Sequence, residues 1–261
     1  MATFLQKMDD QLNAHPYQNV AQRFIFIVAE TDKCPVPENY LSAIGGKPIL
    51  SYSMEAAIKC INDKSKMAVV TDSPDVSEFV ERSGIQLVFL STERIGKYDW
   101  LSDAINYTSD FHKDRLFHIG LISPCYPFIT AIDLKKAFRL CEEQKDGIVG
   151  SGTQSDKSIW HHHFLQDGLF PKRLFLGDDV IRYGGFRQDD QPLYIINDAI
   201  RIFASHSGND PGKTFEGIAF HRANILYNLN SFSRISVSTV QDLIIANAVL
   251  SGGLAGRDNY I

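Results

Sequence analysis

The stretch RFIFIVAETDKCPVPENYLSAIGGKPILSYSMEAA, from Arg23 to Ala57, decides the fold of this chain. It begins with an unbroken apolar run from Phe24 to Ala29, whose length and β-branched, aromatic character are typical of a buried parallel strand. A polar loop with two prolines follows over residues 30–39, and the apolar residues from Ile49 onward then have helical spacing. In an open α/β sheet, ligands bind at the loops that leave the carboxyl ends of the strands. We therefore expect the loop over 30–39 to take part in the function.

Strands and helices continue to alternate after this stretch. The alternation favours right-handed βαβ units, and therefore an α/β fold in which helices flank a largely parallel sheet. The further strands are predicted at 67–70, 85–90, 116–122 and 147–151, and the helices at 74–83, 100–112 and 130–144.

The pattern changes over residues 152–216, which are rich in Asp, Gly, His and aromatic residues and contain only short strand-like pieces. We interpret them as an inserted region that covers the substrate. A last helix is predicted over 238–250, because Ser238-Thr239-Val240-Gln241 is similar to a capping box. Residues 1–22 are predicted to be an N-terminal helical extension, and residues 23–261 a single α/β domain.

The composition excludes several classes of protein. A chain of 261 residues can bury the core of one α/β domain. Its net charge of −5 argues against non-specific binding to nucleic acid or to an anionic membrane. No apolar run approaches the roughly 20 residues that span a bilayer, and the N-terminus lacks the pattern of a secretory signal. The four cysteines have no CxxC spacing, which indicates reduced thiols. We expect a cytoplasmic protein that binds neither nucleic acid nor membrane.

The charges of the loop over 30–39 do not decide whether it binds phosphate. It contains one lysine, Lys33, and three acidic residues, Glu30, Asp32 and Glu38. A loop that binds phosphate normally supplies glycine N–H groups and cations. On its own, this loop is therefore a weak indication of a triphosphate site.

Three other polar segments stand out. Thr71-Asp72-Ser73 follows a predicted strand and can hold a ribose hydroxyl or a metal, but a strand-to-helix turn with an Asp or Ser cap is at least as well supported. The run His161-His162-His163 is better interpreted as a polar loop than as a metal site. Adjacent residues on a strand point to opposite faces, so three consecutive histidines could not all reach one metal ion. The segment over 186–197 combines a cation, amides and a phenol, which suits a ligand with a carboxylate and hydroxyl groups.

Taken in order along residues 23–250, these segments resemble motifs of the CMP-sialic acid synthetase family, the acylneuraminate cytidylyltransferases. The matching segments are Lys33, Asn39 and Gly46-Lys47-Pro48; Val70-Thr71-Asp72-Ser73; Ser123-Pro124-Cys125-Tyr126-Pro127; and Arg187-Gln188, Pro192, Tyr194 and Asn197-Asp198-Ala199.

The resemblance implies a nucleotidyltransferase Rossmann-like fold and the transfer of CMP from CTP to a nonulosonic (sialic-type) sugar acid, with release of pyrophosphate and with Mg²⁺ if the protein is active. It also implies a homodimer, for which residues 152–216 are the candidate interface. Carried over position by position, it gives one catalytic residue, Lys33; nucleotide contacts at Lys33, Asn39, Thr71, Asp72 and Ser123; and sugar contacts at Arg187, Gln188, Tyr194 and Asn197.

The chain departs from the family pattern on the nucleotide side. Glu30 and Glu38 stand where the family has cations, and at an effective dielectric constant near 20 one such contact with a phosphate is worth about 4 kcal/mol in either direction. Ser236 and Ser238 stand where the family has aspartates that would hold Mg²⁺, and a hydroxyl is a poor substitute for a carboxylate. No residue of this chain is therefore assigned to a metal.

Two other functions compete with the transferase. The first is a catalytically inactive homologue that binds a sugar acid or a partner protein through the same cleft. The second is a structural subunit that pairs with an active paralogue through the N-terminal helix.

Overall fold

A computed structural model describes residues 22–31, 40–89, 116–144, 148–154, 163–166, 170–173, 194–206 and 225–252. The predicted N-terminal extension and the predicted helix over 100–112 lie outside these residues. The division of the chain into domains therefore stays a prediction.

The described strands form one large sheet and two hairpins. In chain order they are β1 (Gln22–Ala29), β2 (Ala43–Ile44), β3 (Lys47–Pro48), β4 (Met67–Thr71), β5 (Gln86–Phe89), β6 (Leu116–Ile122), β7 (Ile148–Gln154), β8 (His163–Gln166), β9 (Phe170–Arg173), β10 (Tyr194–His206) and β11 (Ile225–Asn228). The large sheet has the order β11-β7-β10-β6-β1-β4-β5, while β2 pairs with β3 and β8 pairs with β9.

Strand β1 lies in the interior of the large sheet and pairs in parallel with β4 and β6. Its alternate residues enter two different apolar clusters, with Ile25 and Ile27 on one face and Phe24 and Phe26 on the other. This burial on both faces explains the unbroken apolar run, because neither face of the strand meets water. The predicted opening strand and the largely parallel sheet are confirmed.

Four α-helices are described, together with a short 3-10 helix (Lys64–Lys66), and the sequence signals at the ends of the α-helices explain their bounds. They are α1 (Ile49–Ile61), α2 (Pro74–Ser83), α3 (Ala131–Glu143) and α4 (Val240–Ser251). Ser73 caps α2, Gly84 ends it with a φ of 68°, and Thr130 forms a capping box with Asp133 at the start of α3.

The last helix begins at Val240, two residues after the predicted start at 238, and its N-cap lies one residue later than the predicted capping box places it. Thr239, not Ser238, is the N-cap of α4, and its capping-box partner is Asp242, not Gln241. The Thr239 hydroxyl accepts from the Asp242 N–H, while the Asp242 carboxylate accepts from the Thr239 N–H at 2.8 Å. A carboxylate is the stronger acceptor for these helix N–H groups, which favours this register over the alternative.

Strand β10 is the largest difference from the prediction. The expected short strand-like pieces are wrong for this part of 152–216, because β10 is a 13-residue strand of the large sheet. It runs antiparallel between β6 and β7, and its register shifts between Ile196 and Arg201. This irregularity accommodates Asn197 and Asp198, whose polarity hides the strand pattern in the sequence.

The described residues also bear on the cysteines and on membrane-spanning helices. Cys60, Cys125 and Cys141 are buried free thiols, as expected for reduced cysteines, and burial raises the pKa of Cys60 to about 11 and that of Cys141 to about 12. None of the helices in the described part of the chain is long and apolar enough to cross a bilayer.

Candidate ligand site at the carboxyl edge of the sheet

The strand order changes direction between β1 and β6, and in open α/β sheets such a point forms a crevice for ligands. From β1 the chain passes outward to β4 and β5, and it then returns to form β6 on the other side of β1. The connections that follow β1 and β6 therefore lead to opposite halves of the sheet, and a gap for a ligand is expected at the carboxyl ends of these two strands. This gap begins at Glu30 on one side and at Ser123 on the other.

The loop that follows β1 is fastened at both ends. At its far end, the hydroxyl of the buried Tyr40 donates to the backbone oxygen of Glu30 at 2.9 Å. At its near end, the backbone N–H and the hydroxyl of Thr31 donate to the two carboxylate oxygens of Asp72 at 2.8 and 2.6 Å. Asp72 thus ties the first loop to the turn that follows β4, and the helix cap in that turn is Ser73.

Two residues near this loop differ from the expectation for the nucleotide site. Glu30 was expected to face the phosphates, but it is fully buried and presents no carboxylate at the surface of the crevice. Thr71 is also fully buried; its hydroxyl donates to the Ala29 oxygen at 2.9 Å and accepts from the Ser73 N–H at 3.1 Å. The Thr71 side chain therefore holds the ends of β1 and β4 together and has no exposed surface for a nucleotide.

On the other side of the crevice, β6 is joined to β10. The Ser123 N–H donates to the Ala199 oxygen at 3.1 Å, and the Ser123 oxygen accepts from the Tyr126 N–H at 3.3 Å to close a turn. The Ser123 side chain is half-buried at this edge. Ser123 is thus where the predicted nucleotide and sugar sides of the site meet.

Asn197 lies in the irregular part of β10, and its side chain is partly used inside the protein. Its carbonyl oxygen accepts from the Ser151 hydroxyl and, at 3.2 Å, from the Ala199 N–H, while the Ser151 oxygen accepts from the Ile200 N–H at 2.8 Å. These bonds fix the orientation of the amide. A ligand at this edge would therefore meet the amide N–H groups of Asn197, which suit a carboxylate or a hydroxyl oxygen.

Tyr126 and Asp198 lie near Asn197, on the β10 side of the candidate site. The Tyr126 hydroxyl makes a side-chain hydrogen bond with Asp198; burial, and next the negative charge of Asp198, raise the pKa of Tyr126. The hydroxyl consequently stays protonated and donates to the carboxylate. Tyr194 is 37% exposed at the same end of β10. Sequence reasoning assigned no role to Tyr126 or Asp198, although both stand in segments that carry the resemblance.

The segment over 229–238 lies against the turn that follows β6. The Val237 N–H donates to the Cys125 oxygen at 2.7 Å, and the Ser233 hydroxyl oxygen lies 3.2 Å from the Phe128 oxygen. This packing brings Ser236 and Ser238, which flank Val237, next to the turn that begins at Ser123.

The described residues do not fit the Mg²⁺ site that the resemblance implies. No group of three or more His, Cys, Asp or Glu side chains within the described ranges could hold a metal ion. The carboxylate nearest in sequence to Ser236 and Ser238 is that of Asp242, which caps α4 and accepts from the Ser238 N–H at 3.0 Å. Two further carboxylates at this edge, those of Asp72 and Asp198, bind Thr31 and Tyr126, and that of Glu30 is buried.

Four of the predicted contacts, Lys33, Asn39, Arg187 and Gln188, lie outside the described residues. A second lysine of the resemblance, Lys47, is described: it forms an ion pair with Glu55 at 2.5 Å, and nearly half of each side chain is exposed. The Lys47 ammonium is thus paired with a carboxylate on the exposed side of α1.

Comparison with known proteins gives matches among solved structures alone, since no family model and no curated protein matches the chain. One similar structure is CMP:2-keto-3-deoxy-manno-octonic acid synthetase complexed with CTP, with a TM-score of 0.58 and 15% identity over 90% of this chain and 100% of that one. Another is 4-diphosphocytidyl-2C-methyl-D-erythritol synthase from Anaerococcus prevotii, with a TM-score of 0.54 and 15% identity over 88% of this chain and 96% of that one. The chain shares their fold. The predicted Rossmann-like α/β fold, with a largely parallel sheet flanked by helices, is therefore confirmed.

Proposed function

We propose that this protein is a cytidylyltransferase that binds CTP in the crevice between β1 and β6 and transfers CMP to a sugar acid of the nonulosonic type. The observation that carries the proposal is the strand order, which changes direction between β1 and β6, because open α/β sheets bind ligands at such a point. One of the similar structures is a sugar-acid synthetase complexed with CTP, which supports the choice of nucleotide.

In the proposed reaction, a hydroxyl oxygen of the sugar acid attacks the α-phosphorus of CTP. The new bond joins this oxygen to phosphorus, the bond from the α-phosphorus to the bridging oxygen breaks, and pyrophosphate leaves with that oxygen; the hydroxyl proton passes to solvent. Lys33 and Asn39 lie in the loop between Thr31 and Tyr40, whose ends are fastened beside the crevice. The Lys33 ammonium would stabilise the negative charge that develops on the phosphate oxygens.

The acceptor is proposed to bind at the amino end of β10. Asn197 offers amide N–H groups there, and Tyr194 offers a phenol, with Arg187 and Gln188 in the preceding segment. A guanidinium is suited to a carboxylate, because it can donate two parallel hydrogen bonds. The Tyr126–Asp198 pair borders the same place. The homodimer, its interface within 152–216 and the cytoplasmic location remain predictions.

Asn197→Asp tests the acceptor site with little change to the fold. The variant keeps the oxygen that accepts from Ser151 and from the Ala199 N–H, but it replaces the amide N–H groups with a negative charge that repels a carboxylate. With CTP, Mg²⁺ and a panel of nonulosonic acids, we expect wild type to release pyrophosphate and form a CMP-sugar that mass spectrometry detects. We expect Asn197→Asp to raise KM for the acid at least about tenfold, a loss of about 1.4 kcal/mol, while its affinity for CTP is unchanged.

Unchanged kinetics in Asn197→Asp would contradict the proposed acceptor site, and absence of product with every acid would contradict the transferase.

One observation favours a second function, a homologue that binds the sugar acid without transferring CMP. Ser236 and Ser238 stand where the family has aspartates that would hold Mg²⁺. The nearest carboxylate along the chain, that of Asp242, accepts hydrogen bonds from the backbone N–H groups at the start of α4. Calorimetric binding of a nonulosonic acid in the absence of CTP, together with no turnover, would establish this function instead.

A further inference from the structure

The hydrogen-bonded pair Tyr126–Asp198 lies where the two sides of the candidate site meet. The Ser123 N–H donates to the Ala199 oxygen at 3.1 Å, and the Tyr126 N–H closes the turn by donating to the Ser123 oxygen at 3.3 Å. The Tyr126 hydroxyl in turn makes its side-chain hydrogen bond with Asp198. Asp198 is therefore held between the turn that follows β6, on the proposed nucleotide side, and the first part of β10, where the acceptor is proposed to bind.

The Asp198 carboxylate is exposed and can accept from a second partner. A phenol donates a single hydrogen, so Tyr126 uses one carboxylate oxygen and leaves the other for a ligand. Burial, and next the negative charge of Asp198, raise the pKa of Tyr126, which keeps the phenol a donor at neutral pH. The hydrogen bond also fixes the orientation of the carboxylate, as a group that takes part in a reaction requires.

Three other carboxylates at this edge of the sheet are less suited to take a proton from a ligand. Both oxygens of Asp72 accept from Thr31, and Glu30 is fully buried. The Asp242 carboxylate accepts from two backbone N–H groups at the start of α4. Asp198 combines exposure to solvent with a partner that holds it in place.

In the proposed reaction, the attacking hydroxyl of the acceptor must lose its proton. A base for this step has to lie between the acceptor and the α-phosphate, and Asp198 directly follows Asn197, the proposed acceptor contact. In protein kinases, an aspartate accepts the proton of the attacking hydroxyl in the same way. We propose that the Asp198 carboxylate is the general base of the transfer and that Tyr126 is the residue that positions it; this inference rests on the proposed function.

As the O–H bond of the acceptor breaks, its proton passes to an oxygen of Asp198, and its electron pair forms the new bond from oxygen to the α-phosphorus. The bond from the α-phosphorus to the bridging oxygen breaks, and pyrophosphate leaves with that electron pair. The carboxylic acid then returns its proton to water, which can reach it because Asp198 is exposed. A base positioned in this way contributes about 10²- to 10⁴-fold to the rate.

Chemical rescue of Asp198→Ala by formate tests the role of the carboxylate. With CTP, Mg²⁺ and the nonulosonic acid that wild type uses fastest, we expect kcat of this variant to fall at least about a hundredfold, while its affinity for CTP is unchanged. Added formate should restore a large part of kcat, because its carboxylate can occupy the space that the side chain leaves. The matched control is Glu81→Ala, which removes the same charge from an exposed position in the last turn of α2. Its kcat should equal that of wild type, with and without formate.

Two further variants separate a base from a structural group. Asp198→Asn keeps the shape of the side chain and an oxygen that can accept from Tyr126, but an amide does not take up the proton. Its kcat should fall as in Asp198→Ala, and formate should not restore it, because the amide fills the space. Tyr126→Phe should lower kcat at least about tenfold, because the carboxylate loses its fixed orientation, and here too formate should have no effect.

The outcomes distinguish this role from the transferase itself. A kcat in Asp198→Asn equal to that of wild type, or the same response to formate in the Asn and Ala variants, would overturn the role of Asp198 and leave the transferase standing. Absence of a CMP-sugar with wild type would overturn both. Circular dichroism shows which variants are folded, and Asp198→Asn decides the matter if Asp198→Ala is not.

Discussion

Asp133 shows how a single buried residue positions the site. It is 4% exposed, and its carboxylate accepts from the Thr130 N–H and hydroxyl and from the hydroxyls of Ser233 and Tyr227, at 2.8 to 2.9 Å. It therefore joins the start of α3 to the end of β11 and to the segment over 229–238. The local bond to Thr130 follows from sequence, because a capping box is a short-range pattern. The bonds to Ser233 and Tyr227 do not, because those residues lie about a hundred positions away.

We expect Asp133→Ala to lower the free energy of unfolding by about 3 to 5 kcal/mol, because it leaves several buried donors without an acceptor. The matched variant is Tyr227→Phe, which removes one bond to the same carboxylate and should cost about 1 kcal/mol. Urea denaturation followed by circular dichroism measures both values. Equal losses in the two variants would contradict the central role of the carboxylate.

At the scale of elements, the β2–β3 hairpin determines where α4 lies. Its turn is Gly45-Gly46, and both glycines have positive φ, 56° and 80°. The Gly45 N–H donates to the Asn247 side chain at 2.9 Å, and a Cβ on Gly45 would lie 2.7 Å from a methyl of Leu250. A Cβ on Gly46 would meet nothing within 4 Å. The hairpin and the helix thus pack closely at Gly45, and not at Gly46.

These two glycines provide a matched pair of variants. Gly46→Ala should lower stability by about 1 to 2 kcal/mol, the cost of placing a side chain in the left-handed region. Gly45→Ala should cost at least about 1 kcal/mol more, because Leu250 must also move in a packed contact. Thermal unfolding of the two variants measures the difference. A loss in Gly46→Ala as large as that in Gly45→Ala would contradict the close packing of α4 on the hairpin.

The sequence was a good guide to elements that have local signals. The strand at 116–122 was predicted with its observed bounds, and α2 and α3 were predicted from Pro74, Gly84 and Thr130. Strand β10 was missed because Asn197 and Asp198 interrupt its apolar residues. Its place in the sheet depends on pairing with β6 and β7, which are remote in the chain.

At the scale of the whole molecule, the resemblance led to the correct fold, but the geometry of the candidate site required the structure. The order of the strands determines the crevice, and a hydrophobic pattern does not specify that order. The burial of Glu30 and Thr71, which removes both from the surface of the crevice, likewise depends on neighbours from several strands. The roles of Lys33, Asn39, Arg187 and Gln188 stay predictions.

The central claim is that CTP binds beside the loop that follows β1. Calorimetric titration with CTP in the presence of Mg²⁺ tests it most directly, on wild type, Lys33→Ala and Lys47→Ala. We expect wild type to bind CTP and Lys33→Ala to weaken binding at least about tenfold, since it removes the one lysine of that loop. Lys47→Ala should bind like wild type, because Lys47 is paired with Glu55 on the outside of α1. Absence of binding to wild type at millimolar CTP, or equal losses in the two lysine variants, would contradict the account.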